Sequence, residues 1–349
     1  MRIFITHILP TESDSIAGIS IAASNFSRNL ISSGTFDKVF SILPPFVREE
    51  IRVWGEKKIM AIYFRRLRNT PFSKFSAILE QVKVFNNIPK DAHVWLYNLT
   101  PLNGILVKLL RVFKPSVRIY TIVLDFTPGD ASAERWLSTI NSCDGRITLS
   151  MSDQFNKDNT ICLPGVTPSD KKDWPKVITP TKEFIISGQL SDNISLLSKL
   201  LPVFAAHPDW VLNITGDAPE LAKEYSNKYP NVICHGKCSY SEFLRILHKS
   251  PFLLSTRDPR MPENQCNFPS KIIEGLLHNR IVISTIDYPQ LNPIKYLKVD
   301  ANNLEEGLKK IASMPDNTLL EYANQAELTD RMFNARRWAE VMERIERCS

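Results

Sequence analysis

Short runs of consecutive apolar residues alternate along the chain with longer stretches in which apolar positions recur every three to four residues. The short runs predict strands buried on both faces, and the longer stretches predict amphipathic helices. In the first half, strands are predicted over residues 2–8, 38–43, 93–97, 117–123 and 146–149, with helices over 19–32 and 102–113. Asp91 and the run Asn98-Leu-Thr-Pro supply loop and cap signals. From Leu163-Pro-Gly-Val-Thr-Pro to Pro180 the pattern dissolves into Pro, Lys and Asp, the composition of a linker. A second series follows, with strands over 184–187, 210–215, 232–234, 252–255 and 281–284. Helices are expected over 194–204, 220–229, 240–248 and 269–278, and a helical tail over 319–348.

Strands that alternate with helices predict α/β architecture with parallel sheets. At 349 residues the chain suits two domains of roughly 150–180 residues. The pattern places a Rossmann-like unit at 1–163, a linker at 164–182, a second such unit at 183–325 and a C-terminal helix at 326–349. Two doubly wound units are expected to bind a ligand at the carboxyl ends of their strands, in the cleft between them.

Composition changes this picture little. Hydrophobic residues make up 43% and charged residues 23%, the balance of a soluble globular protein. A net charge of +6 does not by itself choose between nucleic acid, anionic lipid and a phosphorylated small molecule. Basic residues form no nucleic-acid recognition motif, so no nucleic-acid partner is expected. Cys234 and Cys238 flank His235, but no second pair accompanies them, and the six cysteines read as reduced core residues rather than a metal site. The N-terminus lacks the length and cleavage site of a signal peptide, and Lys108 and Arg111 interrupt the apolar stretch 105–113. The expectation is a cytoplasmic protein, with a peripheral contact at the inner face of the plasma membrane as its only membrane association.

Chemistry concentrates in residues 255–285. A strand runs into a polar loop, and a helix begins near Pro269, a residue suited to a first helical turn. The amides of Ser270 and Lys271, with the positive end of the helix dipole, form a natural phosphate seat. Lys271 adds a full charge, and Glu274, one turn on, can accept hydrogen bonds from ribose hydroxyls. The same residues read equally well as an ordinary capped helix with a Lys–Glu pair on its surface.

The run Asn267-Phe-Pro-Ser-Lys-Ile-Ile-Glu, followed by Gly275-Leu-Leu-His-Asn-Arg-Ile-Val-Ile-Ser, resembles the donor-site signature of retaining glycosyltransferases of family four, in an Asn-Phe-Pro-Ser-Lys subgroup. Other segments agree in order and spacing. Phe184-Ile-Ile-Ser-Gly-Gln-Leu resembles the strand and glycine turn that open the donor domain. His207-Pro-Asp-Trp-Val-Leu-Asn-Ile-Thr-Gly-Asp resembles the next strand and its glycine turn. Asn231-Val-Ile-Cys-His-Gly-Lys and Tyr240-Ser-Glu-Phe-Leu resemble the segment lining the nucleotide base. Phe333-Asn-Ala-Arg-Arg-Trp resembles the helix that crosses back to the first domain.

The resemblance implies a GT-B fold, with two Rossmann-like domains facing across a cleft, and a nucleoside diphosphate sugar as donor. It places Gly188, Gln189, Gly216, His235, Gly236, Arg257, Asn267, Phe268, Ser270, Lys271 and Glu274 around that donor. Gly18-Ile-Ser-Ile resembles the start of the first helix, which faces the transferred sugar, so Gly18, Lys271 and Glu274 are the expected catalytic positions. No cofactor or metal is implied, and no Asp-x-Asp stands in a suitable loop.

Two departures from the family pattern stand out. Cys266 occupies the position of the first Glu of the family's Glu-x7-Glu pair, with Glu263 three residues earlier as a substitute. Gln189 and Ile194 stand where the family has an Arg and a Lys on the diphosphate. Lys271 and Arg257 are the expected replacements, since a diphosphate needs positive charge more than a given loop.

On the acceptor side, Tyr97-Asn-Leu-Thr-Pro and Leu124-Asp-Phe-Thr-Pro follow predicted strands, with Asp125 either an acceptor contact or a loop cap. His7 and His93 read as structural. Residues 48–74 hold eight basic and three acidic residues interleaved with aromatics, either a solvated helix face or a surface for anionic headgroups near a polyprenyl- or lipid-linked acceptor. The resemblance implies hexosyl transfer with retained configuration to a glycan or lipid-linked acceptor, in bacterial surface polysaccharide assembly. The rival readings are a nucleotide-sugar epimerase, for which no carboxylate pair is evident, and a GT-B subunit that binds sugar nucleotide or glycan without turnover.

Overall fold

The computed structural model describes residues 1–6, 21–42, 61–64, 73–99, 101–124, 126, 128–129, 133–155, 158–168 and 174–349. His7, Gly18, Asp125 and all of the stretch 48–74 except 61–64, 73 and 74 lie outside the described residues. The chain divides into two compact units, Met1–Ser169 with Phe333–Ser349, and Asp170–Met332.

The first unit contains β1 (Arg2–Thr6), α1 (Ile21–Ser32), β2 (Lys38–Ile42), β3 (Ala61–Phe64), α2 (Ser73–Asn86), β4 (His93–Tyr97), α3 (Pro101–Phe113), β5 (Arg118–Val123), α4 (Ala133–Asn141), β6 (Gly145–Thr148) and β7 (Thr160–Cys162). The strands form one parallel sheet in the order β3-β2-β1-β4-β5-β6-β7. Ile3, Phe4 and Ile5 are fully buried, as expected for a central strand covered on both faces. Among the strands of this sheet, β3 and β7 were not expected from the pattern; both are edge strands of four and three residues.

The second unit contains β8 (Glu183–Gln189), α5 (Asp192–Ser195), α6 (Leu197–Ala206), β9 (Val211–Asp217), α7 (Glu220–Lys228), β10 (Val232–Gly236), α8 (Tyr240–Lys249), β11 (Phe252–Ser255), α9 (Pro262–Cys266), α10 (Ser270–Leu277), β12 (Ile281–Ser284), β13 (Leu297–Lys298), α11 (Leu304–Ala312), α12 (Asp316–Leu320) and α13 (Ala326–Phe333). Its parallel sheet runs β10-β9-β8-β11-β12-β13. The order reverses between β8 and β11, so the loops after these two strands flank a crevice at the carboxyl edge, where open α/β sheets bind ligands. The sheet is anchored by Phe184, stacked on Phe252 at 4.8 Å and edge-on to Phe204 at 5.1 Å.

Two predicted helices are interrupted. The one expected over 194–204 is broken at Leu196, which takes a left-handed conformation with φ 50°. Thr256 Oγ1, from the loop after β11, donates to the Ser195 carbonyl at 2.6 Å, drawing that group out of helical pairing. The predicted tail helix is split into α12, α13 and α14 (Ala335–Arg347). Asn324 takes φ 56° in the first gap, and its side chain exchanges two hydrogen bonds with the Val177 backbone, at 2.9 and 3.0 Å. Asn334 caps α14 by accepting from the Arg337 amide at 2.9 Å.

α14 packs into the first unit. Trp338 donates its indole N–H to the Gly165 carbonyl at 2.8 Å, so the stretch read as linker begins with residues 163–167 buried in that unit. Near its end Glu346 receives Arg2 Nε and Nη2 at 2.8 and 2.7 Å and the Trp95 indole at 2.8 Å. Burial alone would raise the Glu346 carboxyl. The Arg2 and Trp95 hydrogen bonds and the Arg2 charge outweigh it and hold the group below its ordinary value.

Candidate functional site

At the carboxyl edge of the second sheet, β8 and β9 end side by side in Gly188 and Gly216, which are register partners. Their φ values are 125° and 109°, a region L side chains rarely adopt. A Cβ on Gly216 would collide with the Gly188 carbonyl oxygen, so the two backbones approach as closely as they do only because residue 216 is glycine; a Cβ on Gly188 would meet no atom. Gln189 follows, exposed and uncharged, and Ile194 is half-buried.

β10 ends in an irregularity of register between Cys234 and Gly236, the latter with φ 66°. Such bulges re-aim side chains at sheet edges. Here His235 is turned so that its Nε2 lies 2.9 Å from Asn213 Oδ1; since that oxygen only accepts, Nε2 is assigned the proton. Burial, opposed by Glu242 and aided by Arg245, holds His235 below its ordinary value, so it is neutral near pH 7. Ser239 then starts α8, its hydroxyl accepting from the Glu242 amide at 3.2 Å in the Ser-x-x-Glu arrangement of a capping box. Among the described residues no cluster of three or more His, Cys, Asp or Glu is placed to hold a metal ion.

The loop after β11 is laced to itself. The Arg257 amide donates to Thr285 Oγ1 at 2.7 Å, and that hydroxyl donates to the Arg257 carbonyl at 2.5 Å. Arg257 Nη1 donates to Asn264 Oδ1 at 3.1 Å, and Asn264 Nδ2 to the Asp258 carbonyl at 3.0 Å. Asp258 is held at about 2 by its hydrogen bonds from the Arg260 side chain and backbone. The loop contains the short helix α9, which ends with Cys266 buried. Asn267 follows at its C-cap, half-buried. Phe268 is buried edge-on to Tyr288 at 5.0 Å and anchors the loop by packing.

Pro269 stands at the N-cap of α10, one residue before the first helical turn where proline was expected. The Ile272 amide reaches the Pro269 carbonyl at 3.0 Å, and no side chain among the described residues caps the Ser270 and Lys271 amides ahead of it. Ser270 is exposed. Lys271 Nζ lies 2.6 Å from Glu274 Oε2 and 4.1 Å from the centre of the Phe243 ring. Both the phosphate-seat and the Lys–Glu-pair readings of these residues therefore have a counterpart in the geometry: the helix start is uncapped, and the pair is formed.

The structure thus brings Lys271 and Glu274 together with the start of α8, and sets Gly188 beside Gly216. Arg257 is engaged with Asn264, Cys266 and Phe268 are packed inward, and Gly18 lies outside the described residues. Phe243 falls in the segment Tyr240-Ser-Glu-Phe-Leu, likened to the one that lines the nucleotide base, but its contact with Lys271 was not read from the sequence. Its place under Lys271 joins two helices 28 positions apart in sequence, which no local spacing signals.

No family model matches the chain, and no curated protein matches it in sequence. Solved structures do match it over nearly its whole length. Sucrose-phosphate synthase from Thermosynechococcus elongatus is 13% identical, with a TM-score of 0.69, covering 99% of this chain and 98% of the other. The trehalose-6-phosphate synthase OtsA is 9% identical, with a TM-score of 0.72 and 99% coverage of both chains. HepE of Anabaena, in complex with UDP and glucose, is 12% identical, with a TM-score of 0.64, covering 99% and 98%. At these identities the likeness is one of fold: two parallel α/β units in one chain, the GT-B fold.

Proposed function

We propose that the protein is a glycosyltransferase that moves a hexosyl group from a nucleoside diphosphate sugar to a glycan or a polyprenyl- or lipid-linked acceptor. One observation carries the reading. The uncapped start of α10 follows the β11 loop, which flanks the crevice at the carboxyl edge, and carries the Lys271–Glu274 pair on its first turns. Free first-turn amides and a helix dipole suit a phosphate, and Lys271 supplies the charge that Gln189 and Ile194 do not. A diphosphate offers the Lys271 ammonium more negative charge than one carboxylate does, so binding draws Lys271 away from Glu274. Glu274, released, accepts from the ribose hydroxyls.

In this reading the bond between the anomeric carbon and the diphosphate oxygen breaks, the acceptor hydroxyl oxygen bonds to that carbon and gives its proton to the departing diphosphate, and the α10 amides and Lys271 stabilise the charge growing on that leaving group. Retention, membership of family four, the role of Gly18 facing the sugar and the setting in surface polysaccharide assembly follow from the sequence resemblance. So does a reaction without cofactor or metal, and a cytoplasmic location at the inner face of the plasma membrane is proposed beside it. The fold neighbours that hold UDP with glucose, and UDP-2-fluoro glucose, make uridine diphosphate sugars the first donors to try.

Donor hydrolysis and transfer to lipid-linked sugars test the proposal. Turnover that Lys271→Ala abolishes supports it. A second reading, a subunit that binds sugar nucleotide without turnover, is favoured by the exposed, uncharged Gln189 and the inward-packed Cys266. Nucleotide binding with no turnover on any common donor would establish that reading instead.

A further inference from the structure

In the first unit, α2 and α3 pack along each other and leave apolar side chains uncovered. Val112 is 68% exposed, Phe113 65%, Leu79 45% and Ile78 41%. Half-buried Val82 and Phe85 continue a helical stripe from Ile78, and half-buried Leu109 continues one to Val112 and Phe113. The Phe85 and Phe113 rings meet edge to face at 6.2 Å, which joins the two stripes near the C-terminal ends of the helices. Scattered exposed apolar residues need no explanation, whereas a contiguous set bounded by polar groups marks a contact surface.

The boundary is basic. Lys83 and Lys108 are exposed on the two helices, and Lys90 is exposed just beyond α2. Lys114 donates to the Phe85 and Ile88 carbonyls at 2.6 and 2.5 Å and lies 4.3 Å over the Phe85 ring, fixing a fourth ammonium at the patch. The α3 sequence contains no acid, and Glu80, the acid of α2, is buried. Asp91, beside Lys90, is the exposed acid of this stretch.

We propose that this α2–α3 face docks the protein on an anionic lipid bilayer. Ile78, Leu79, Val112 and Phe113 enter the boundary between headgroups and acyl chains, and the lysines meet the headgroup charge. A second copy of the chain fits the face less well. Two-fold pairing through it would bring Lys83, Lys90 and Lys108 near their own counterparts, and like charges across an interface oppose association. The residues that form the face, from Ile78 to Lys114, follow the stretch 48–74 in sequence, and the inference does not rest on the donor site, because bilayer binding needs no nucleotide.

The test is co-sedimentation of the full chain, without donor, with phosphatidylcholine vesicles and with vesicles that also contain phosphatidylglycerol. The wild type is expected to pellet only with the second kind, and added salt should release it. The double variant Val112→Ser with Phe113→Ser, substituted at exposed positions, should partition at least about tenfold more weakly, with circular dichroism and melting temperature unchanged. Lys83→Gln and Lys108→Gln should each weaken partition about fivefold. Equal pelleting of wild type and double variant overturns the proposal, as does equal pelleting, or none, with both vesicle types. A dimer in light scattering that the double variant converts to monomer would show that a second copy covers the face, and would also overturn it.

Discussion

Gly216 has little latitude among the residues of the second unit. Its φ of 109° and the collision that a Cβ would make with Gly188 mean that even alanine forces β8 and β9 apart. Gly216→Ala is expected to destabilise the protein by about 2–4 kcal/mol, read as a lower urea midpoint at unchanged slope. At the opposite edge of the same sheet, His248 Nε2 lies 2.8 Å from His278 Nδ1, with Trp174 packed on the His278 ring at 4.0 Å. The buried Arg280 guanidinium, bonded to the His278, His248 and Pro175 carbonyls, stands beside them. Burial first, and the Arg280 charge second, hold His248 below its ordinary value of 6.5. A histidine depressed by folding contributes its stability in full above the unfolded value and loses it as the pH falls. The melting temperature should therefore drop between about pH 7 and pH 5, and His248→Gln should flatten that part of the profile.

At the scale of elements, α14 is held by Glu346. This carboxylate, shielded from water and bonded to Arg2 and Trp95, is depressed by folding, so its stability is present above its ordinary value of 4.5 and is lost as acid protonates it. Glu346→Ala leaves Arg2 and the Trp95 indole without their partner and should cost about 3 kcal/mol, measured by denaturant unfolding near neutral pH. Much of this scale was legible in the sequence. The strands His93–Tyr97, Phe252–Ser255 and Ile281–Ser284 were read to the residue, because a strand buried on both faces is an unbroken apolar run. Leu297–Lys298, at two residues, is too short to write such a run, whereas Ala61–Phe64 does write one but stands within the basic stretch 48–74, which read as a helix face or a headgroup surface. The break at Leu196 was illegible for another reason: its cause, Thr256, is 61 positions away from the carbonyl it binds. In the candidate site, the Lys271–Glu274 pair could be read from spacing within one helix, but the Phe243 ring beneath it and the Arg257–Asn264 bond could not. Those contacts depend on how α8, α9 and the β11 loop fold onto α10, and the pattern did not reveal α9.

At the scale of the whole molecule, two parallel sheets in one chain reverse their strand order once each, between β1 and β4 and between β8 and β11. The reversal between β8 and β11, with the crevice it leaves at the carboxyl edge, is what gives the α10 start its place in the account. The central claim is that this helix start and Lys271 hold the diphosphate without the Arg and Lys that the resembled family uses. Titration calorimetry of UDP and GDP into the wild type and Lys271→Ala tests it most directly. The account predicts that the wild type binds at least one of the two, and that Lys271→Ala weakens that binding by about ten- to a hundredfold, the loss of a charged hydrogen bond. Equal affinity of the two proteins, or no binding of either nucleotide by the wild type, would contradict it.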